Sequence, residues 1–122
     1  MSNSTSAEHL AHLWIEGWIN GDPDSIPLAE DFVHTSPFGR LEGREHYLET
    51  VKPMAAENVA RLTIIKTLSE GNEAVIRFDM ETPEEVIPCC DWVRVEGEKI
   101  AEIHSFYDAT TLRGGPTYPT DE

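Results

Sequence analysis

The 122-residue chain is long enough for one domain with a hydrophobic core and too short for two. Hydrophobic residues make up 39% of it and charged residues 26%, which are ordinary values for a globular protein. Nine Lys and Arg against 23 Asp and Glu give a formal net charge of −14. Because that charge repels phosphate backbones and anionic lipid surfaces, the composition argues against nucleic acid and membranes as partners.

The start of the chain carries signals for helices. Residues 5–8 (TSAE) fit a capping box in which the hydroxyl of Thr5 caps the helix. Apolar residues follow at helical spacing: Leu10, Leu13, Trp14 and Trp18. Asn20-Gly21 is typical of a helix end, and Asp22-Pro23 is typical of the start of a second, short helix.

The next segment combines a strand with a helix. The stretch from Phe32 to Ser36 indicates a short strand, closed by Pro37-Phe38-Gly39. The stretch from Gly43 to Lys52 predicts a third helix. We expect this helix to end at Pro53, because proline lacks the N–H that continues a helix.

Beyond residue 60 the hydrophobic period changes to two, which predicts strands. The predicted strands are Leu62–Ser69, Glu73–Thr82, Val86–Val95 and Lys99–Asp108. Gly71-Asn72 and Glu96-Gly97-Glu98 indicate hairpin turns between them. Helices followed by an antiparallel meander predict a single α+β domain over residues 1–122, with a loosely held tail from Arg113 to Glu122.

The two cysteines and the lengths of the apolar runs indicate in which compartment of the cell the protein is found. Cys89 and Cys90 are adjacent, and neighbours rarely reach disulfide geometry without strain. They also lack a nearby histidine, so they do not form the pattern of a zinc site. No apolar run approaches membrane-spanning length, and the first residues lack the regions of a signal peptide. We therefore expect a reduced, cytoplasmic protein without a metal.

Three phrases occur in a characteristic order. They are Trp18-Ile19-Asn20-Gly21-Asp22, then Ser36-Pro37-Phe38-Gly39 with Gly43-Arg44-Glu45, and finally Gly97-Glu98-Lys99-Ile100 with Phe106-Tyr107-Asp108. Through them residues 7–112 resemble the SnoaL-like branch of the nuclear transport factor 2-like superfamily. The resemblance implies a cone-shaped barrel, in which about three helices pack on a strongly curved, mainly antiparallel sheet and leave a pocket. Many members dimerise through the sheet, so we expect a homodimer. Cyclases, isomerases, hydrolases, dehydratases and non-catalytic binders share this fold, so the fold does not fix the function.

Limonene-epoxide hydrolases offer one template for the site. Arg77-x-Asp79 resembles their Arg-x-Asp pair, but their second catalytic Asp falls at Ser105, which is a poor general acid. Their water-orienting positions fall near His34 and Ser36, again as different residue types. The resemblance therefore leaves this acid/base pair incomplete.

Ketosteroid isomerases offer a second template. Asp91 resembles the Asp of their oxyanion hole, while their base position falls on Ser36 and their Tyr position on Trp14. Indole can donate a hydrogen bond but cannot transfer a proton, so this machinery lacks its base. His34 is the remaining candidate for acid/base work, because its unperturbed pKa lies near neutrality; a structural histidine is the alternative.

Strand alternation leaves two placements open for Arg77 and Asp79. They can form an ion pair on the outer sheet surface while Ile76, Phe78 and Met80 face the core. Alternatively, the charged pair lines the pocket and a dimer covers the apolar side. We predict the second placement, with Arg77 holding Asp79 ionised while burial keeps Asp91 neutral.

Two functions follow from this reading. The first is an acid/base enzyme without a cofactor, of isomerase, cyclase, dehydratase or hydrolase type, acting on a small apolar, oxygen-bearing molecule. Its catalytic groups would be Asp79, Arg77, Asp91 and His34. The second is a binding or regulatory module that uses the same pocket without turnover. In both, the predicted pocket residues are Trp14, Trp18, Ser36, Ser105 and Tyr107.

Overall fold

The structure is a computed structural model that describes residues 6–109, apart from the side chain of Asn58. Within these residues the elements are α1 (Ala7–Ile19), a 3-10 turn (Pro23–Ser25), β1 (Leu28–Ser36), β2 (Gly39–Glu42), α2 (Arg44–Asn58), β3 (Arg61–Glu70), β4 (Glu73–Glu81), β5 (Val86–Glu96) and β6 (Lys99–Tyr107). The predicted α+β class is confirmed. The described residues form two α-helices rather than three, because the Asp22-Pro23 segment makes only a single 3-10 turn.

The six strands form one sheet in the order β2-β1-β6-β5-β4-β3. Neighbouring strands are antiparallel except for β1 and β6, which are parallel. The sheet stays open, with β2 and β3 at its edges, while both helices pack on one face. We call this the inner face; its most buried residues include Ile76, Val93 and Ile103. The predicted curved, mainly antiparallel sheet under helices is confirmed.

Helix α1 begins one residue later than the capping-box prediction. Ser6 is the N-cap, and its hydroxyl accepts a hydrogen bond of 3.1 Å from the backbone N–H of His9. Thr5, the predicted cap, lies outside the described residues. The helix ends as predicted, at Asn20, and Gly21 follows with a φ of 72°, which favours glycine.

Helix α2 continues through Pro53 to Asn58, so the predicted end at Pro53 is wrong. Proline removes one backbone hydrogen bond, but the last turn still gains burial because Met54 packs against the core. The sequence also missed β2, since a four-residue strand carries too few positions to show a period. The four strands predicted after residue 60 are confirmed to within two residues at each end.

The opposite face of the sheet, which we call the outer face, exposes large apolar side chains. Trp92 is 42% exposed, Phe106 49% and Val75 38%, and strand pairing places them on neighbouring strands. The sequence analysis placed a second copy of the chain on the side of Ile76, Phe78 and Met80, but Ile76 and Phe78 are buried on the inner face, so that placement is wrong. The homodimer itself stays a prediction. None of the helices within residues 6–109 is long and apolar enough to cross a membrane.

Candidate functional site

A cavity of about 720 Å³ lies between the two helices and the inner face of the sheet. This volume is within the range that small-molecule sites occupy. Aromatic side chains dominate its wall: Trp14, Trp18, Phe38, Tyr47, Phe78 and Tyr107. Three buried polar residues, His34, Asp91 and Ser105, line it among these apolar groups. A few polar groups converging in an apolar cavity are the usual composition of a ligand site.

The three polar residues come from three adjacent strands. Asp91 lies on β5 directly opposite Ser105 on β6, and His34 lies on β1, the next strand along. Alternation along β5 turns Cys89, Asp91 and Val93 towards the helices. The strand register therefore sets the polar groups side by side on the inner face.

A hydrogen-bonded chain links these residues to α1. The indole Nε1 of Trp14 donates to Asp91 Oδ2 over 2.8 Å, and His34 Nε2 lies 3.0 Å from Ser105 Oγ. Ser105 also hydrogen-bonds to Asp91, so the order is Trp14, Asp91, Ser105, His34. All four side chains are buried. Such a chain fixes the orientation of both the carboxyl group and the imidazole.

Two residues of this hydrogen-bonded chain each have one buried atom without a partner among the described residues. These atoms are Oδ1 of Asp91 and Nδ1 of His34. A buried polar atom without a partner raises the free energy of the folded state by roughly 1–3 kcal/mol, so such atoms are rare outside functional sites. Both atoms belong to residues that line the cavity.

Burial changes the proton affinities of the two groups in opposite directions. Loss of solvation raises the pKa of Asp91 to about 6, although the hydrogen bonds from Trp14 and Ser105 act to lower it. The same loss of solvation, with a smaller contribution from His104, lowers the pKa of His34 to about 3. At neutral pH the imidazole of His34 is therefore uncharged, and of these two groups Asp91 has the pKa closer to 7. The sequence analysis assigned acid/base work to His34 because an unperturbed histidine has a pKa near neutrality. Burial lowers the pKa of His34, so this reason does not hold in the folded protein.

The structure places Arg77 and Asp79 on the outer face, so the prediction that they line the cavity is wrong. Arg77 Nη1 donates to Asp79 Oδ1 over 2.9 Å, with the two side chains 40% and 31% exposed. The physical reason is the alternation of β4, in which Ile76 and Phe78 turn inward to pack beneath α1. Arg77 and Asp79 therefore form an ion pair on the outer face, which is the first of the two placements that the sequence left open.

Four of the five predicted pocket residues line the cavity: Trp14, Trp18, Ser105 and Tyr107. Ser36 does not line it. Its hydroxyl instead accepts a hydrogen bond of 3.1 Å from the backbone N–H of Phe38 and so braces the turn after β1. Ser36 therefore supplies no polar group to the wall of the cavity.

Sequence reasoning missed the contribution of α2. Tyr47 lies with its ring centroid 4.9 Å from that of His34 and 5.8 Å from that of Trp14. Val51 and Met54 continue the same wall. The spacing of these three residues, i, i+4 and i+7, is the signal that could have identified this helix face. No group of three or more His, Cys, Asp or Glu within residues 6–109 is placed to hold a metal ion.

Comparison with known proteins identifies the family. The family model described as a SnoaL-like domain matches residues 11–103. A comparison with curated proteins found no match. Among solved structures, a protein from Kribbella flavida DSM 17836 is 22% identical with a TM-score of 0.81, covering 91% of this chain and 93% of its own.

Two further structures show the range of proteins with this fold. A candidate SnoaL-like polyketide cyclase from Jannaschia sp. CCS1 is 10% identical with a TM-score of 0.78, covering 98% of both chains. A protein from Catenulispora acidiphila DSM 44928 with a ketosteroid isomerase-like fold, solved in complex with trimethylamine, is 20% identical with a TM-score of 0.70. The match covers 96% of this chain and all of that chain (100%). At these identities the likeness shows the fold alone, whereas the family match spans most of the sequence. The chain belongs to the SnoaL-like domain family.

Proposed function

We propose that the protein is an acid/base enzyme that needs no cofactor and acts on a small, mostly apolar molecule carrying a carbonyl group. The observation that carries this proposal is Asp91, which lines the apolar cavity, whose Oδ1 has no partner within residues 6–109, and whose pKa is raised to about 6. A carboxylate with that pKa is largely ionised at pH 7 and is a stronger base than an ordinary aspartate.

The roles of the other residues follow from their contacts. Trp14 and Ser105 hold the carboxylate in one orientation through their hydrogen bonds. Because the single hydroxyl proton of Ser105 is donated to Asp91, neutral His34 donates its Nε2–H to Ser105 Oγ, and its Nδ1 is left as an acceptor for a substrate hydroxyl. His34 is thus proposed to orient Ser105 and to accept a hydrogen bond from the substrate rather than to act as the base.

The chemistry that fits these roles is proton transfer next to a carbonyl group. Asp91 would remove a proton from the carbon beside the carbonyl, and the negative charge would move to the carbonyl oxygen. Return of the proton to another carbon gives an isomerisation, and attack of the enolate on a second carbonyl within the same molecule gives a cyclisation. The neighbours named as a polyketide cyclase candidate and as having a ketosteroid isomerase-like fold support this reaction class by analogy of fold only.

Proton exchange tests the proposal without knowledge of the natural substrate. A panel of cyclic ketones and 1,3-diketones is incubated with the protein in D₂O, and loss of the α-proton signal is followed by NMR. Asp91→Asn should abolish the protein-dependent exchange, because an amide cannot accept the proton. Asp79→Asn is the matched control, since it removes the same charge from the outer face. Equal exchange by wild type and Asp91→Asn would rule out Asp91 as the base.

A non-catalytic binding module is the second candidate. It is favoured by one observation: burial lowers the pKa of His34 to about 3, so the imidazole near Asp91 does not act as a second acid/base group at neutral pH. Binding without turnover would appear as a ligand-induced rise in Tm with no proton exchange for any ligand that binds.

A further inference from the structure

The entrance of the cavity has an unusual charge composition. Lining residues that are also exposed to solvent lie where the cavity opens, and they include Ile19, Lys52, Pro53, Ala60 and Arg61. The 23 acidic residues of the chain outnumber the nine basic ones. Yet Asp91, on the buried floor, is the only acidic residue among those that the structure shows lining the cavity. The entrance itself carries two cations.

Both cations keep hydrogen-bond donors for a further anion. The Lys52 ammonium has three N–H donors, and Asp24 Oδ1 takes one of them at 2.9 Å. Arg61 Nε lies 3.8 Å from Glu81 Oε2, which is too long for a hydrogen bond. Neither Asp24 nor Glu81 lines the cavity; Asp24 borders a separate groove on the far side of Lys52. Each cation is therefore available to an anion at the entrance.

We infer that the ligand is an amphipathic anion, with an apolar body inside the cavity and an acidic oxyanion group at the entrance beside Lys52 and Arg61. This inference rests on the proposed function, because it assumes that the cavity binds a small molecule. It deepens that proposal by fixing the direction of the ligand, with the reacting carbonyl towards Asp91 and the charged end towards solvent. The acidic group of the ligand would not bind at the floor of the cavity, because the wall there is apolar and ionised Asp91 repels a negative charge.

Two fluorescent dyes that differ by one charged group test the inference. The dye 1-anilinonaphthalene-8-sulfonate is an apolar body with a sulfonate, and N-phenyl-1-naphthylamine is the same body without it. Fluorescence titration gives the Kd of each dye for the wild type and for the double variant Lys52→Gln/Arg61→Gln. The control is Arg40→Gln/Lys99→Gln, which removes the same charge from exposed residues that do not line the cavity.

We expect the sulfonate dye to bind roughly two- to five-fold more weakly for each entrance cation removed, as exposed ion pairs allow. The uncharged dye should bind all three proteins equally, and the control variant should bind both dyes like the wild type. Displacement of the sulfonate dye by decanoate and decyl phosphate, compared with decanol, then distinguishes a carboxylate from a phosphate end.

The outcomes separate this inference from the proposed function. If the uncharged dye binds but the entrance variant weakens the sulfonate dye no more than the control does, the anionic end is refuted while the binding cavity stands. If neither dye binds the wild type, the small-molecule cavity itself is refuted, and the amphipathic ligand with it.

Discussion

Replacing Asp91 by Asn should make the protein more stable relative to wild type as the pH rises from acid to neutral. In the unfolded chain the carboxyl has an ordinary pKa near 3.8, and in the folded protein burial raises the pKa to about 6. Because the folded state holds the proton more tightly, this group contributes stability that is present below pH 3.8 and is lost as the pH rises towards 6. A shift of about two pKa units corresponds to about 3 kcal/mol of lost stability at pH 7.

The variant removes this loss, since an amide does not ionise. Its side-chain oxygen can still accept the hydrogen bond from Trp14, whereas its NH₂ group needs a new acceptor, which adds a pH-independent destabilisation of about 1–3 kcal/mol if none is found. The change with pH is therefore the quantity to test. The free energy of unfolding of Asp91→Asn relative to wild type should increase by about 2–3 kcal/mol between pH 4 and pH 7.

Urea denaturation followed by tryptophan fluorescence measures this difference at pH 4, 5.5 and 7. Dilute protein is needed at the lower values, because the sequence pI is about 4.6. Taking the difference between two proteins cancels the titration of the other acidic residues. Asp79→Asn serves as control and should show no comparable change, since its carboxylate is exposed on the outer face. A constant difference between wild type and Asp91→Asn across this range would refute a raised pKa at Asp91.

Three further predictions concern the core, the imidazole and the outer face. Gly17→Ala should lower the free energy of unfolding by roughly 1–3 kcal/mol in urea, because the added methyl would meet Ile26 Cδ1 at 2.6 Å in a buried contact; an unchanged midpoint would contradict this packing. His34→Gln should reduce the loss of stability on acidification below pH 6.5, because the pKa of His34 is lowered to about 3 and its neutral form contributes stability that disappears as the pH falls; acid titration followed by circular dichroism tests this. Sedimentation should give about twice the 13.7 kDa chain mass for the wild type and a monomer with an unchanged spectrum for Trp92→Glu, whereas a monomeric wild type would remove the role of the outer face.

The sequence predicted the strands well because their alternation directly reflects burial on one face. It could not say which of two opposite-facing sets in β4 turned inward, since family precedent favoured the charged set and hydrophobicity favoured the apolar one. In the structure the apolar set of β4 faces the core: Ile76 is completely buried, and Arg77 and Asp79 remain partly in solvent. Burying the ion pair instead would have required desolvating two charges in exchange for a single contact.

The sequence analysis named the residues of the hydrogen-bonded chain but did not predict their roles. Trp14, Asp91, Ser105 and His34 could be named from the comparison with the hydrolase and isomerase templates. Their hydrogen-bonded order could not, because it depends on the register of three strands and on the position of α1. The proton affinities of His34 and Asp91 depend on burial, which no local sequence pattern encodes.

The parallel pairing of β1 with β6 has a consequence for how the protein acquires its site. Strand β6 is the last described strand, yet it inserts between β1 and β5 in the middle of the sheet. The contact between His34 and Ser105 therefore joins residues 71 positions apart, and loop closure over that distance delays folding. On a ribosome, β1 through β5 emerge before β6 can complete the sheet. The floor of the cavity thus forms only after β6 has been synthesised, and any nascent chain that lacks β6 has an incomplete cavity.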